Sequence, residues 1–143
     1  MTARHRVWIV VAVALGGALG TVARYELARA EPVHGGRFPC ATFGANVVGS
    51  FVLGVVVVLL ADTRASTGVP RAFAAVGFCG GLTTFSTWMM ESVLLARDGS
   101  GATAAVYVAV SLVAGLVAVA LGVAAAGAVG HRPTPVFDPD RDD

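Results

Sequence analysis

The sequence predicts an all-α membrane protein with four transmembrane helices, the third of them broken near Gly80-Thr84, and three observations lead there. Of 143 residues, 56% are hydrophobic and 13% charged, about half the roughly 25% charge of a typical soluble domain. Four apolar stretches are each long enough to cross a hydrocarbon core of ~30 Å at ~1.5 Å per residue, and short proline- and glycine-bearing segments separate them. Within the third stretch, Gly77-Phe78-Cys79-Gly80-Gly81-Leu82-Thr83-Thr84-Phe85-Ser86-Thr87-Trp88 carries two adjacent glycines and four hydroxyl side chains. Such a run makes a poor continuous helix and is costly to show to lipid. Irregular main chain at membrane depth persists only where protein or a water-filled cavity covers it.

The first segment spans about 7–28. Its basic lead and Ala/Gly-rich body resemble a signal peptide, but three further spans follow, so it reads as a retained helix. Gly16, Gly20 and Arg24 lie four apart and share one face, a small-residue stripe on which another helix can approach closely. Arg24 either snorkels to the headgroups or faces inward with a structural role. A loop follows over 29–39, and its His34 is assigned no chemistry.

The second span covers about 42–61. Asn46 and Ser50 sit one turn apart beside Gly49 and Gly54. A buried asparagine amide in a membrane either binds a neighbouring helix or meets a ligand. After a turn over 62–70, the third span covers about 71–96, with Glu91 a turn beyond Trp88. Two half-helices meeting at a break leave main-chain carbonyls and N–H groups directed at one spot, a common membrane recipe for an ion site. The fourth span, about 102–127, carries Tyr107 and Ser111 on one face, and Gly115 continues that stripe. Residues 1–127 therefore form one four-helix transmembrane domain, and the polar 128–143 read as a disordered tail. Cys40 and Cys79 lack metal-ligand spacing and are expected to be buried free thiols.

A net charge of +1 offers no basic surface for nucleic acid. The arginines also fail to favour one side of the membrane. Arg4, Arg6, Arg64 and Arg71 stand against Arg24, Arg29, Arg37 and Arg97, with Arg132 and Arg141 distant in the tail. That balance permits insertion in both directions and an antiparallel dual-topology dimer. Four thin helices are few to enclose a pore alone, so an oligomer is expected.

Three blocks together resemble the CrcB/Fluc fluoride-channel family. They are Gly16-Gly17-Ala18-Leu19-Gly20 through Arg24-Tyr25, Asn46-Val47-Val48-Gly49-Ser50-Phe51, and Gly77 through Thr87. The resemblance covers about residues 7–127. It implies a fluoride-selective channel of the cell membrane, built as an antiparallel dimer with two pores at the subunit interface and a central structural sodium ion. The sodium would be held by main-chain carbonyls of Gly80 and Thr83 from both subunits. Asn46 would line the pore as an amide donor and Phe85 would present its ring edge. Tyr107 and Ser111 match a polar track, and Glu91 matches an acidic position beyond the break. Ser86, Thr87 and Trp88 complete the expected pore set, while Arg24, Gly16, Gly20, Gly49 and Ser50 are expected to be structural.

Fluoride is small and tightly hydrated, so such a pore must replace water with amide, hydroxyl and electropositive ring-edge donors. This implied chemistry requires no nucleophile or general base, and no enzymatic activity is expected. Two positions depart from the family pattern: Trp88 stands where a second phenylalanine is usual, and Gly115 where a hydroxyl is usual. The indole could narrow the pore or donate to the anion. Some family members pair non-identical subunits, so the expected partner is a second copy or a paralogue. The alternative function is a small proton-coupled multidrug-type exporter using Glu91, whose first segment would lack an acidic residue before Glu26. A third possibility is a scaffold whose polar positions only join helices.

Overall fold

The computed structural model describes residues 2–31, 36–60 and 68–130, which places His34, residues 62–67 of the second turn and the tail from 131 outside the described residues. The described chain is helical: α1 Ala3–Ala30, α2 Cys40–Leu59, α3 Val69–Arg71, a π-helical stretch Ala72–Cys79, α4 Gly80–Leu82, α5 Phe85–Arg97 and α6 Gly101–Gly130. Helices α1, α2 and α6 are long and apolar enough to cross a membrane. The third span is assembled from two limbs, Val69–Leu82 and α5.

Helix α1 begins earlier than residue 7 because the Thr2 side chain accepts the His5 N–H and caps it. Residues 128–130 also differ from expectation. Helix α6 continues through them to Gly130, three residues past the expected end at 127. Between α5 and α6, Gly99 adopts φ 79°, and Ser100 N–H returns to Leu95 C=O. This left-handed glycine closes the C-terminus of α5 and turns the chain back within a few residues.

Packing relies on small residues. Helix α1 lies against the first limb of the third span, so that a Cβ on Gly16 would strike the Phe73 carbonyl and one on Gly20 the Phe78 carbonyl. Helices α2 and α6 meet in the same manner, with Gly54 against the Val119 carbonyl and Gly122 against that of Phe51. Large apolar side chains such as Leu15, Leu19, Leu112, Leu116 and Leu121 point outward. Such an arrangement suits hydrocarbon, where helices gain by close backbone approach and leucine is as content in lipid as in protein.

Both cysteines are free. Cys79 is buried as expected, but Cys40 is exposed, because it opens α2 directly after the Pro39 cap and projects beyond the packed helices.

Candidate functional site

The third span does not break at its glycines. Gly80 and Gly81 are helical, and the extended residues are Thr83 (φ −82°, ψ 154°) and Thr84 (φ −149°, ψ 127°). Gly81 serves packing instead: a Cβ there would strike the Gly17 carbonyl of α1. Asn46 of α2 holds the break open. Its Nδ2 donates to the Thr84 carbonyl at 3.1 Å and its Oδ1 accepts the Thr84 N–H at 2.8 Å, so one amide replaces two main-chain partners. Thr84 then caps α5, its hydroxyl accepting the Thr87 N–H at 3.2 Å and donating to the Thr87 hydroxyl at 3.0 Å. Gly49 has no side chain where Thr83 approaches, since a Cβ would meet the threonine methyl.

These bonds release specific carbonyls. In a continuous helix the Thr84 N–H would close on Gly80 C=O and the Thr87 N–H on Thr83 C=O. Here the first goes to Asn46 and the second to the Thr84 hydroxyl. The Gly80 and Thr83 carbonyls are therefore without those donors, and Gly80 lies exposed beside open space. Two hard oxygens at one break suit an alkali or alkaline-earth cation. The intervening Gly81 carbonyl is occupied by Arg24, whose Nε donates to it at 3.2 Å. Arg24 thus faces inward and joins α1 to the break.

Beneath the break is a cavity of about 510 Å³ that brings together Asn46, Ser50, Gly80, Thr83, Phe85, Trp88, Ser111 and Gly115. Asn46 uses one hydrogen of its amide nitrogen on Thr84, which leaves the other for a ligand. Phe85 and Trp88 meet edge to face with centroids 5.4 Å apart. Trp88 is 7% exposed and Phe85 72%. The phenyl ring therefore stands mostly on the outer surface, and it borders the same cavity as open Gly80.

The remaining expected pore residues lie elsewhere. Glu91 accepts the Thr42 hydroxyl at 2.8 Å and the Tyr107 hydroxyl at 2.7 Å, and Tyr107 is wholly buried against Phe38. Ser86 is exposed, with its hydroxyl 3.4 Å from that of Thr84, and Thr87 belongs to the cap. Thr42 was absent from the expected set. Its signal is legible, because Thr42, Asn46 and Ser50 recur every fourth residue and form one polar stripe along α2.

The family model described as "CrcB-like protein, Camphor Resistance (CrcB)" matches residues 11–123. A Streptomyces avermitilis protein named "Fluoride-specific ion channel FluC 3" is 47% identical over 85% of this chain, which spans 59% of that protein's length. The Chlorobium luteolum protein named "Fluoride-specific ion channel FluC" is 45% identical over 82% of this chain and 91% of its own length. One of the same name from Chlorobaculum tepidum is 47% identical over 75% of this chain and 85% of its own. With its three long apolar helices and these relatives, the chain is a multi-pass membrane protein.

Proposed function

Because the chain belongs to the CrcB-like family, we propose that it is a fluoride-selective channel of the cell membrane, passing fluoride out of the cytoplasm down its electrochemical gradient. The observation that carries this reading is the convergence of Asn46, Phe85, Trp88 and Ser111 on one cavity beneath a main-chain break. That lining is rich in groups that donate to an anion and contains no carboxylate. Glu91, the acidic residue of the same limb, has its oxygens occupied by Thr42 and Tyr107 away from the cavity.

In this reading a second copy of the chain, running antiparallel, covers the face that carries Gly80 and Phe85. An aromatic ring at 72% exposure beside an open glycine suits a surface completed by another subunit. The pores then run where the two copies meet, and each Phe85 contributes its electropositive rim to a path shared with the partner. The Gly80 and Thr83 carbonyls of both copies would hold a structural sodium ion, which when bound supplies fixed positive charge close to the anion path.

Within each subunit, Asn46 keeps the break from closing into helix and turns its remaining amide N–H toward the ion. Ser111 adds a hydroxyl. Fluoride gains from such donors because its compact charge binds its hydration shell tightly, and only close, well-directed groups replace that shell. With the second copy in place, the apolar remainder of the wall, including Leu53, Leu112 and Leu116, would keep water out, so that each donor acts in a low dielectric where its attraction is strong.

Efflux from liposomes containing only this polypeptide tests the reading. The expected result is rapid fluoride release with no imposed proton gradient and negligible chloride release. Release of a cationic dye that requires both a proton gradient and Glu91, with no fluoride release, would replace the channel with an exporter.

A further inference from the structure

A second cavity, of about 620 Å³, lies where α1 begins, α2 ends and the first limb of the third span starts. Trp8 and Leu15 of α1, Val56 and Leu60 from the end of α2, and Pro70 and Phe73 of the first limb line it. It shares no lining residue with the cavity beneath the break, and apart from the Trp8 indole N–H its side chains are purely apolar. Trp8 and Leu15 are both more than half exposed, so the cavity opens at the surface of the bundle. In a chain that crosses the membrane, that surface meets lipid.

The dimensions and the charge at the mouth narrow the occupant. Along α1, Arg4 to Leu15 rises about 16 Å at ~1.5 Å per residue, roughly one leaflet of a ~30 Å hydrocarbon core. Arg4 stands one turn above Trp8, on the stripe that continues through Ala12 and Leu15. It is exposed and has no ion-pair partner among the described residues. Arg6 adds positive charge nearby, and Arg71 at the same end has interactions of its own. Residues 2–15, 56–60 and 68–74 contain no carboxylate side chain. Trp8, between the arginine and the apolar depth, has the amphipathic ring that suits the headgroup level.

Hydrocarbon already surrounds such a groove, so seating a chain there gains little by itself and the headgroup decides which lipid is held. Segments of the chain outside the described residues fit the groove less well. Residues 61–67 have no apolar side chain larger than alanine. The tail from 131 offers Val136 and Phe137, but a peptide at this depth would carry unpaired main-chain groups into hydrocarbon.

We infer that this cavity is a binding site for an anionic phospholipid, with an acyl chain seated along Trp8, Phe73 and Leu15 and the phosphate-bearing headgroup at Arg4. The site is separate from the ion path and does not depend on which ion the protein passes. In an antiparallel pair, each leaflet would hold one such lipid.

The full chain, reconstituted in phosphatidylcholine vesicles with a minor fraction of phosphatidylglycerol brominated on its acyl chains, tests the site, because bromine quenches a tryptophan it touches. Mole for mole, brominated phosphatidylglycerol should quench about fivefold more effectively than brominated phosphatidylcholine, the factor that one arginine gives at an anionic surface. Trp8→Phe should remove the difference, which assigns it to this groove and not to Trp88. Arg4→Gln, at the exposed start of α1, should lose most of the preference, and Arg4→Lys should retain it. Equal quenching by the two brominated lipids, or a preference undiminished in Arg4→Gln, would overturn the site. A preference that emerges only in a chain ended after Gly130 would also overturn it and assign the groove to the tail.

Discussion

Asn46 grips Thr84 by both of its main-chain groups, and the rest of the site depends on that grip. The amide is neutral and can both donate and accept, which no carboxylate does when ionised. Asn46→Asp would keep an acceptor for the Thr84 N–H, leave the Thr84 carbonyl unpaired, and place negative charge on the cavity wall. A buried polar group losing its partner costs about 1–3 kcal/mol, so the variant should still fold while its anion path closes. Phe85 offers a second check. Phe85→Ile removes the ring that meets Trp88 at 5.4 Å but keeps a bulky apolar side chain. Fluoride flux should fall to the leak rate while size-exclusion elution in detergent stays the same; unchanged flux would remove the ring from the path. At this scale the sequence was partly legible. The two possible duties of Asn46 could be written down from its type and setting, but its partner could not, because Thr84 is 38 positions away and meets it only after two helices pack. The same holds for Glu91: its neighbour in sequence is Arg97, whereas in space its oxygens answer to Thr42 and Tyr107.

At the scale of elements, the decisive feature is a span that stops being helical at two threonines. Adjacent glycines drew attention to the correct dozen residues because glycine is a weak helix former. The break itself falls at Thr83 and Thr84, since helix propensity is a weak preference and the side chains decide: Asn46 and the Thr84 cap reward extended backbone there. Thr84→Ala removes that cap and should cost about 1 kcal/mol, read as a lower midpoint of thermal unfolding in detergent. The glycines have the other task of letting helices touch. Gly20→Val would drive a side chain into the Phe78 carbonyl of the first limb. Overpacking of this kind costs about 1–3 kcal/mol, and here the obstacle is main chain, which yields little. The expected outcome is a marked loss of thermal stability, checked by fluorescence-detected size exclusion after heating; wild-type stability would contradict the close approach. The long apolar helices α1, α2 and α6 were legible because membrane thickness sets a length that composition displays directly, whereas the start of α1 depended on a cap.

For the whole molecule, the question is what covers the face bearing Gly80 and Phe85. A balanced arginine distribution gives neither orientation an advantage, and a single copy leaves a mostly exposed ring beside the freed carbonyls. The antiparallel pair predicts that the two breaks lie together at a twofold axis. In a Cys40→Ser background, which removes the exposed native thiol, Gly80→Cys should join two chains through a short bifunctional thiol reagent in membranes, giving a band at twice the chain's mass. Cross-linking absent at Gly80→Cys but present at an outward position such as Leu19→Cys would place the contact elsewhere. The most direct measurement of the central claim compares the parent with Asn46→Asp, each reconstituted alone and followed with a fluoride electrode. The parent should empty its liposomes rapidly and the variant should release fluoride no faster than protein-free vesicles, although both elute identically before reconstitution. An Asn46→Asp protein that drains fluoride at the parental rate would contradict the account.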